Sequence, residues 1–134
     1  TADGPRVIEY NCRFGDPETQ VVLPLLKTDL LTVMQAVSDE RLSDIEVEFA
    51  SEFACCVISA SKGYPEKYES GYEITIPEKC DEQIFIAGAK LEGGKLLTAG
   101  GRVIGAVATE KTLEGAIAHA YEVAARVQFE NKYS

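Results

Sequence analysis

Glu9-Tyr10-Asn11-Cys12-Arg13-Phe14-Gly15-Asp16-Pro17-Glu18 is the stretch on which the reading of this chain turns. Residues 6–13, RVIEYNCR, follow an Asp3-Gly4-Pro5 turn and alternate as a strand does. The alternation puts Val7, Glu9, Asn11 and Arg13 on one face, with Ile8, Tyr10 and Cys12 on the other. Phe14-Gly15 breaks the strand. Asp16-Pro17-Glu18 then opens a helix, with an acidic cap, a proline where its missing N–H costs nothing, and a second acid in the first turn. That helix is expected to bury Val21, Val22, Leu25 and Leu26. Pro24 removes one of its hydrogen bonds, which predicts a short or kinked helix. Asp29 is placed to cap a second helix carrying Leu30, Val33, Met34 and Val37.

From residue 45 onward the period changes. Residues 53–61 form an apolar, strand-like run that ends at Lys62-Gly63-Tyr64-Pro65. Residues 72–76, YEITI, alternate and stop at Pro77. Residues 83–90 and 95–98 flank Glu92-Gly93-Gly94, a hairpin turn, and Gly100-Gly101 is a corner before another strand over residues 102–108. Thr112 caps a final helix with the stripe Leu113, Ala116, Ile117, Ala120, Tyr121, Ala124 and Val127. The expected fold class is α+β. A strand–helix–helix segment occupies residues 1–44, and residues 45–134 form a mainly antiparallel, partly closed sheet. Leu113, Ile117, Ala120, Tyr121 and Ala124 are expected to pack the last helix against that sheet.

Composition narrows the function. The 134 residues suit one ordinary domain, or a small one plus part of another. With 46% hydrophobic and 26% charged residues, a core needs neither disulfides nor a structural metal. Thirteen Lys+Arg against 22 Asp+Glu leave a net charge of −9, which opposes contact with nucleic-acid backbones and anionic lipid. No apolar run approaches the ~18–20 residues of a membrane helix, and no signal segment opens the chain. A soluble, cytoplasmic protein with no nucleic-acid or membrane partner is expected. Cys12, Cys55, Cys56 and Cys80 lack paired metal-ligand spacing and read as reduced, small hydrophobes. The opening TADGPRV, without an initiator Met, reads as part of a longer protein.

Residues two apart on a strand stand roughly 6.5–7 Å apart on one face. Glu9 and Asn11 at that spacing can lean onto a hard cation that also takes phosphate oxygens, and Mg²⁺ and Mn²⁺ both accept such donors. Arg13 can hold a transferring phosphoryl group, and a helix N-terminus next in line attracts an anion. This is a phosphoryl-transfer edge by one reading. By the other it is an alternating strand with a solvated polar face.

The stretch PRVIEYNCRFGDPETQVVLPLLKTDL resembles the end of the ATP-grasp domain in the glycinamide ribonucleotide synthetase (phosphoribosylamine–glycine ligase) family. Glu-x-Asn-x-Arg is common to many ATP-grasp enzymes, and its continuation through Phe14-Gly15-Asp16-Pro17-Glu18-Thr19-Gln20 points to this ligase. The resemblance continues through residues 60–65 (ASKGYP), 85–90 (FIAGAK) and 100–103 (GGRV), and so covers nearly the whole chain. It implies an ATP- and Mg²⁺- or Mn²⁺-dependent joining of glycine to phosphoribosylamine through an acyl phosphate, in purine biosynthesis. By the matching motif, Glu9 and Asn11 are the implied metal ligands and Arg13 the group facing the terminal phosphate. Gly15 and Asp16 are implied to lie near glycine or the acyl phosphate. The family's small residue, glycine, histidine and threonine are replaced here by Cys12, Lys62, Ile86 and Ala89. The nucleotide-clasping lobe is missing from this stretch, so the fragment alone is expected to be inactive.

The remaining conspicuous residues carry plainer readings. His119, the only histidine, falls off the helical stripe and reads as a surface side chain. Gly93-Gly94 and Gly100-Gly101 read as turns, and Tyr64, Tyr68 and Tyr72 as loop packing. A rival function from another class is a non-catalytic scaffold that keeps the fold. A strand without its sheet also presents an edge that a second copy of the chain can pair with.

Overall fold

Val103, Ile104, Ala106, Val107 and Ala108 make a nearly unbroken apolar run, the pattern of a strand covered on both faces. They lie at the centre of the main sheet. A computed structural model describes residues 4–77 and 83–134; Cys80 and Asp3, each given a reading from sequence, lie outside them. In chain order a single turn, α1 (Thr19–Val22), runs into a 3₁₀ turn at Leu23–Leu25, followed by α2 (Leu30–Ser38) and a second 3₁₀ turn at Leu42–Asp44. Then come β1 (Phe53–Ser61), β2 (Gln83–Ile86), β3 (Ala89–Glu92), β4 (Lys95–Thr98), β5 (Arg102–Glu110), α3 (Leu113–Arg126) and β6 (Lys132–Tyr133). The main sheet has the order β2-β5-β1-β6, and β3-β4 form a separate two-stranded sheet. All the ladders are antiparallel. The class is therefore α+β, with antiparallel sheets and one packed helix.

Local chemistry accounts for most of the boundaries. Pro24 sits in the 3₁₀ turn and limits α1 to four residues, as its missing N–H requires. Asp29 caps α2 by accepting from Thr32 N at 2.8 Å, and Thr112 caps α3 by accepting from Gly115 N at 3.1 Å. Lys132 reaches from β6 to the end of α3, where its Nζ donates to the Ala124 and Val127 carbonyls. A cation there satisfies carbonyls that the helix leaves open and meets the negative end of its dipole. Gly93 and Gly94 both have positive φ, 58° and 78°, inside the two-residue turn closed by the Glu92–Lys95 pair. A turn with positive φ at both positions matches the right-handed twist of the flanking strands.

The sheet register sorts side chains by face. Cys55, Val57, Ala106 and Ala108 face α3 and pack with Ala120, Val123 and Ala124. A second cluster joins Ile74, Val103, Ile104, Val127 and Phe129, with Ile76, Ala89 and Leu96 against it. On the opposite face, Cys56 and Ile58 lie against Gly105, beside Phe85 on β2.

Several expectations change here, and the run expected over residues 83–90 splits into β2 in the main sheet and β3 in the two-stranded one. Residues 6–13 form no strand, and Val7, Ile8 and Tyr10 are exposed, Ile8 almost entirely (98%). A strand is completed by hydrogen bonds to a neighbour, and among the described residues none lies alongside. Residues 72–76 make only single bridges, Glu73 to Leu97 and Thr75 to Gln128, although Ile74 is buried as the alternation requires. Helix α3 is turned from the expected face. Ala116, Ala120, Val123, Ala124 and Val127 are buried, while Leu113, Ile117 and Tyr121 are exposed. Small side chains let the helix sit close over β1 and β5, which leaves the larger ones on its flank. In the first helices Val22, Met34 and Val37 are likewise exposed, and Ala36 is the buried residue of α2.

Candidate functional site

Glu9, Asn11 and Arg13 occupy the exposed segment that precedes α1. Arg13 Nη1 donates to Asn11 Oδ1, so these two side chains do share a side of the chain. With Cys12 and Phe14 they line an open depression of about 490 Å³. The Cys12 thiol turns back toward the Tyr10 carbonyl oxygen at 3.8 Å.

The next five residues are far better fixed. Thr19 donates to the Gly15 carbonyl oxygen through both its hydroxyl and its backbone N–H, which folds the Gly15–Thr19 loop into a closed turn. The N-terminal donors of α1 are thereby partly used, and one helical turn offers little of the anion attraction expected there. Asp16 is held from two sides. Arg102, at the start of β5, donates from Nη1 to the Asp16 backbone oxygen at 3.0 Å and places Nη2 3.0 Å from Asp16 Oδ2. Gln20 Nε2 donates to Asp16 Oδ1 at 2.6 Å. Phe14, Gly15, Asp16, Thr19, Gln20, Leu23 and Phe85 line a partly open pocket of about 340 Å³. Cys56 lies near the same loop. Burial, then Cys55, then the Asp16 carboxylate push its thiol up to about 11.

The structure thus splits the expected site in two. Asn11 and Arg13 are brought together on exposed chain, Glu9 lies on the same exposed segment without a hydrogen bond to them, and Gly15 and Asp16 form a braced pocket wall. Gln20 and Phe85 belong to that wall, Arg102 braces it through Asp16, and none of the three was singled out as a site residue from sequence. The Asp16…Gln20 spacing of four was a readable helical signal. The Arg102 contact spans 86 residues and carries no local signal.

Elsewhere His119 Nδ1 lies 3.1 Å from Glu110 Oε1, so the histidine ties α3 to the end of β5 rather than standing alone in solvent. Tyr64 and Tyr68 pack edge to face at 6.2 Å, and the Tyr72 hydroxyl donates to Glu69 Oε2 at 2.6 Å. The Tyr64 ring fills the space a side chain at Gly101 would need, 2.0 Å from its Cβ position. These tyrosines serve packing.

Among the described residues, no three His, Cys, Asp or Glu side chains converge to hold a metal ion. Glu9 and Asn11 offer one carboxylate and one amide oxygen on accessible chain. That donor set fits a hard divalent cation that completes its shell with phosphate oxygens and water. No helix among the described residues is long and apolar enough to cross a membrane.

Residues 54–134 match the family model described as phosphoribosylglycinamide synthetase, C domain. The chain is 50% identical over 138 residues to the bifunctional purine biosynthetic protein PUR2,5 of Pichia angusta, covering 100% of this chain and 18% of that protein. It is 47% identical over 133 residues to a phosphoribosylamine–glycine ligase of Clostridium acetobutylicum, covering 99% of this chain and 32% of the ligase. The crystal structure of phosphoribosylamine–glycine ligase from Thermotoga maritima superposes with a TM-score of 0.77 at 40% identity, over 96% of this chain and 32% of that one. The chain spans about a third or less of the length of these relatives.

Proposed function

The chain belongs to the phosphoribosylglycinamide synthetase C-domain family, and from that membership we propose that it is the C-terminal part of a phosphoribosylamine–glycine ligase. In this reading residues 1–44 end the ATP-grasp domain and residues 45–134 are the C-terminal domain. The observation that carries it is the extent of the match. Identity of 47% to the Clostridium acetobutylicum ligase runs over 99% of the chain, through the Glu9–Gln20 segment as well as the C domain.

The parent enzyme would use ATP to convert the glycine carboxylate to glycyl phosphate. The amine of phosphoribosylamine then attacks the acyl carbon, forms the amide and releases phosphate. Glu9 and Asn11 would hold Mg²⁺ or Mn²⁺, which when bound neutralises phosphate charge. Arg13 would face the terminal phosphate, where a guanidinium stabilises charge that spreads over its oxygens during transfer. Its guanidinium donates to Asn11 Oδ1, the oxygen proposed to take the cation, so it would have to swing toward the phosphate for that oxygen to ligate. Gly15 and Asp16 would line the glycine or acyl-phosphate end of the site, on a wall that Arg102 ties to the C-terminal domain. The apolar lining from Phe14, Leu23 and Phe85 would shield one side of an intermediate that water destroys. Such chemistry belongs in the cytoplasm, where ATP and the purine precursors are at hand.

The full-length protein is expected to release ADP only when ATP, glycine, phosphoribosylamine and a divalent cation are all present. The isolated 134 residues should release none, because they supply one wall of the site. Glycine-dependent ADP release by the isolated chain, or its absence from the full-length protein, contradicts the reading.

A further inference from the structure

Arg102 leaves the sheet from a fixed base. Its carbonyl oxygen accepts from Gly88 N at 2.8 Å, and Gly88 O in turn accepts from Ala99 N at 2.8 Å and Gly100 N at 3.0 Å. A glycine is needed at position 88, since a Cβ there would lie 2.5 Å from the Arg102 carbonyl oxygen and 2.7 Å from Gly100 Cα. Ser61, fully buried at the end of β1, holds the residues just upstream. Its N–H donates to Gly101 O at 2.8 Å and its hydroxyl to Gly100 O at 3.0 Å. The backbone that carries this guanidinium is thus pinned by β1 and by the corner between β2 and β3. The side chain ends on Asp16, with Nη1 on the backbone oxygen and Nη2 beside Oδ2, each at 3.0 Å. Gln20 Nε2 takes Oδ1. Gln20 and Thr19 fix the loop from its own helix, and Arg102 fixes it from the sheet.

The geometry points to Arg102 as a positioning residue for the small carboxylate substrate. From the C-terminal domain it sets the place of Asp16, and through Asp16 the pocket wall that takes glycine and its acyl phosphate. It acts through that loop and not on the reacting atoms. Displacement of a substrate-bearing wall by about 1 Å can cost a hundredfold in rate. The guanidinium also offsets the Asp16 charge, which would otherwise repel the carboxylate of the substrate. This assignment rests on the ligase reading and deepens it, because it makes the C-terminal domain a determinant of glycine use.

The test is steady-state kinetics on the full-length enzyme. Arg102→Ala should lower kcat/KM for glycine by roughly tenfold to a hundredfold, while KM for ATP stays as in the parent. Arg102→Lys should recover only part of the loss, because one ammonium does not reproduce both contacts. That variant keeps the charge, and it carries the comparison if Arg102→Ala does not fold. The route is read from a double-mutant cycle. Asp16→Asn keeps an oxygen for Gln20 and loses the anionic partner of Arg102. In that background Arg102→Ala should cost no more than roughly threefold, since its partner is already gone. Unchanged kcat/KM for glycine in Arg102→Ala, its full effect persisting beside Asp16→Asn, or KM for ATP rising in step overturns the assignment and leaves the ligase reading standing. No glycine-dependent ADP release from the unsubstituted enzyme overturns both.

Discussion

Arg102 grips Asp16 at two points, donating to its backbone oxygen at 3.0 Å and approaching its Oδ2 at 3.0 Å. One guanidinium thereby locks both the main chain and the side chain of a loop that lies 86 residues away in sequence. The fork of Arg suits this double contact, and the single ammonium of Lys does not. Both side chains remain over a third exposed (39% and 45%), so the pair holds the loop in place more than it stabilises the fold.

Arg102→Ala should therefore cost only about 1 kcal/mol in urea denaturation of the isolated chain. The loop should respond more strongly. Trypsin should cut after Arg13 markedly faster in Arg102→Ala than in the parent, with Arg102→Lys between the two. Equal cleavage rates would show that the loop is held by something else.

The corrected face of α3 gives a sharper stability test. Ala120 is fully buried against the sheet, while Tyr121 is 56% exposed. Ala120→Leu should destabilise the chain by about 1–3 kcal/mol through overpacking, and Tyr121→Ala should change it by no more than about 0.5 kcal/mol. The reverse order in chemical denaturation would restore the face first expected from the sequence.

Two rows of residues compete for the inner face of α3. Leu113, Ile117 and Tyr121 repeat every four residues, as Ala116, Ala120 and Ala124 do, and the two rows lie side by side on the helix. Periodicity places both rows near the sheet. The close approach of a helix over Val57, Ala106 and Ala108 decides that the small row goes inward. Local signals were enough for β1, the caps Asp29 and Thr112, and the Gly93-Gly94 turn. Residues 6–13 show the opposite case, since their alternation is that of a strand but strand formation depends on a partner elsewhere. In the candidate site, Asp16 was legible through its motif and the Arg102 contact was not, because nothing near Arg102 in sequence announces a partner 86 residues away.

Cysteine chemistry should separate by face and burial. Cys12 is exposed, whereas Cys55 and Cys56 are partly buried and their thiols are pushed up, Cys56 to about 11. At pH 8 iodoacetamide should label the Cys12 peptide well before the Cys55–Cys56 peptide, as read by mass spectrometry. The raised value also sets a sign for stability. Below the unfolded thiol value near 9 the neutral form suits both states, and between 9 and about 11 only the unfolded chain releases the proton. Stability should therefore fall across that window, and Cys56→Ala should fall less steeply. Parallel curves for the two proteins would remove Cys56 from the account.

The Glu9–Asn11–Arg13 segment yields the test of the proposed cation site. Asn11 and Arg13 bond to each other, and the Cys12 thiol turns to the Tyr10 carbonyl instead. In the full-length enzyme Glu9→Gln and Asn11→Ala should both lower turnover, and Cys12→Ala should be nearly silent. With Glu9 as the proposed anionic ligand, its removal leaves developing phosphate charge less neutralised, so a loss of roughly tens- to thousands-fold is expected for Glu9→Gln. Asn11 contributes only a neutral oxygen. Its loss should be smaller and partly restored by excess Mg²⁺, because a weakened site still fills at high concentration. Asn11→Ala also frees Arg13 from its side-chain partner, so the restored rate should stay below the parental one even at saturating metal. The measurement is ADP formation against Mg²⁺ concentration for the three variants. Full activity of Glu9→Gln at low metal, or Cys12→Ala as the most damaging change, would place the cation on other residues.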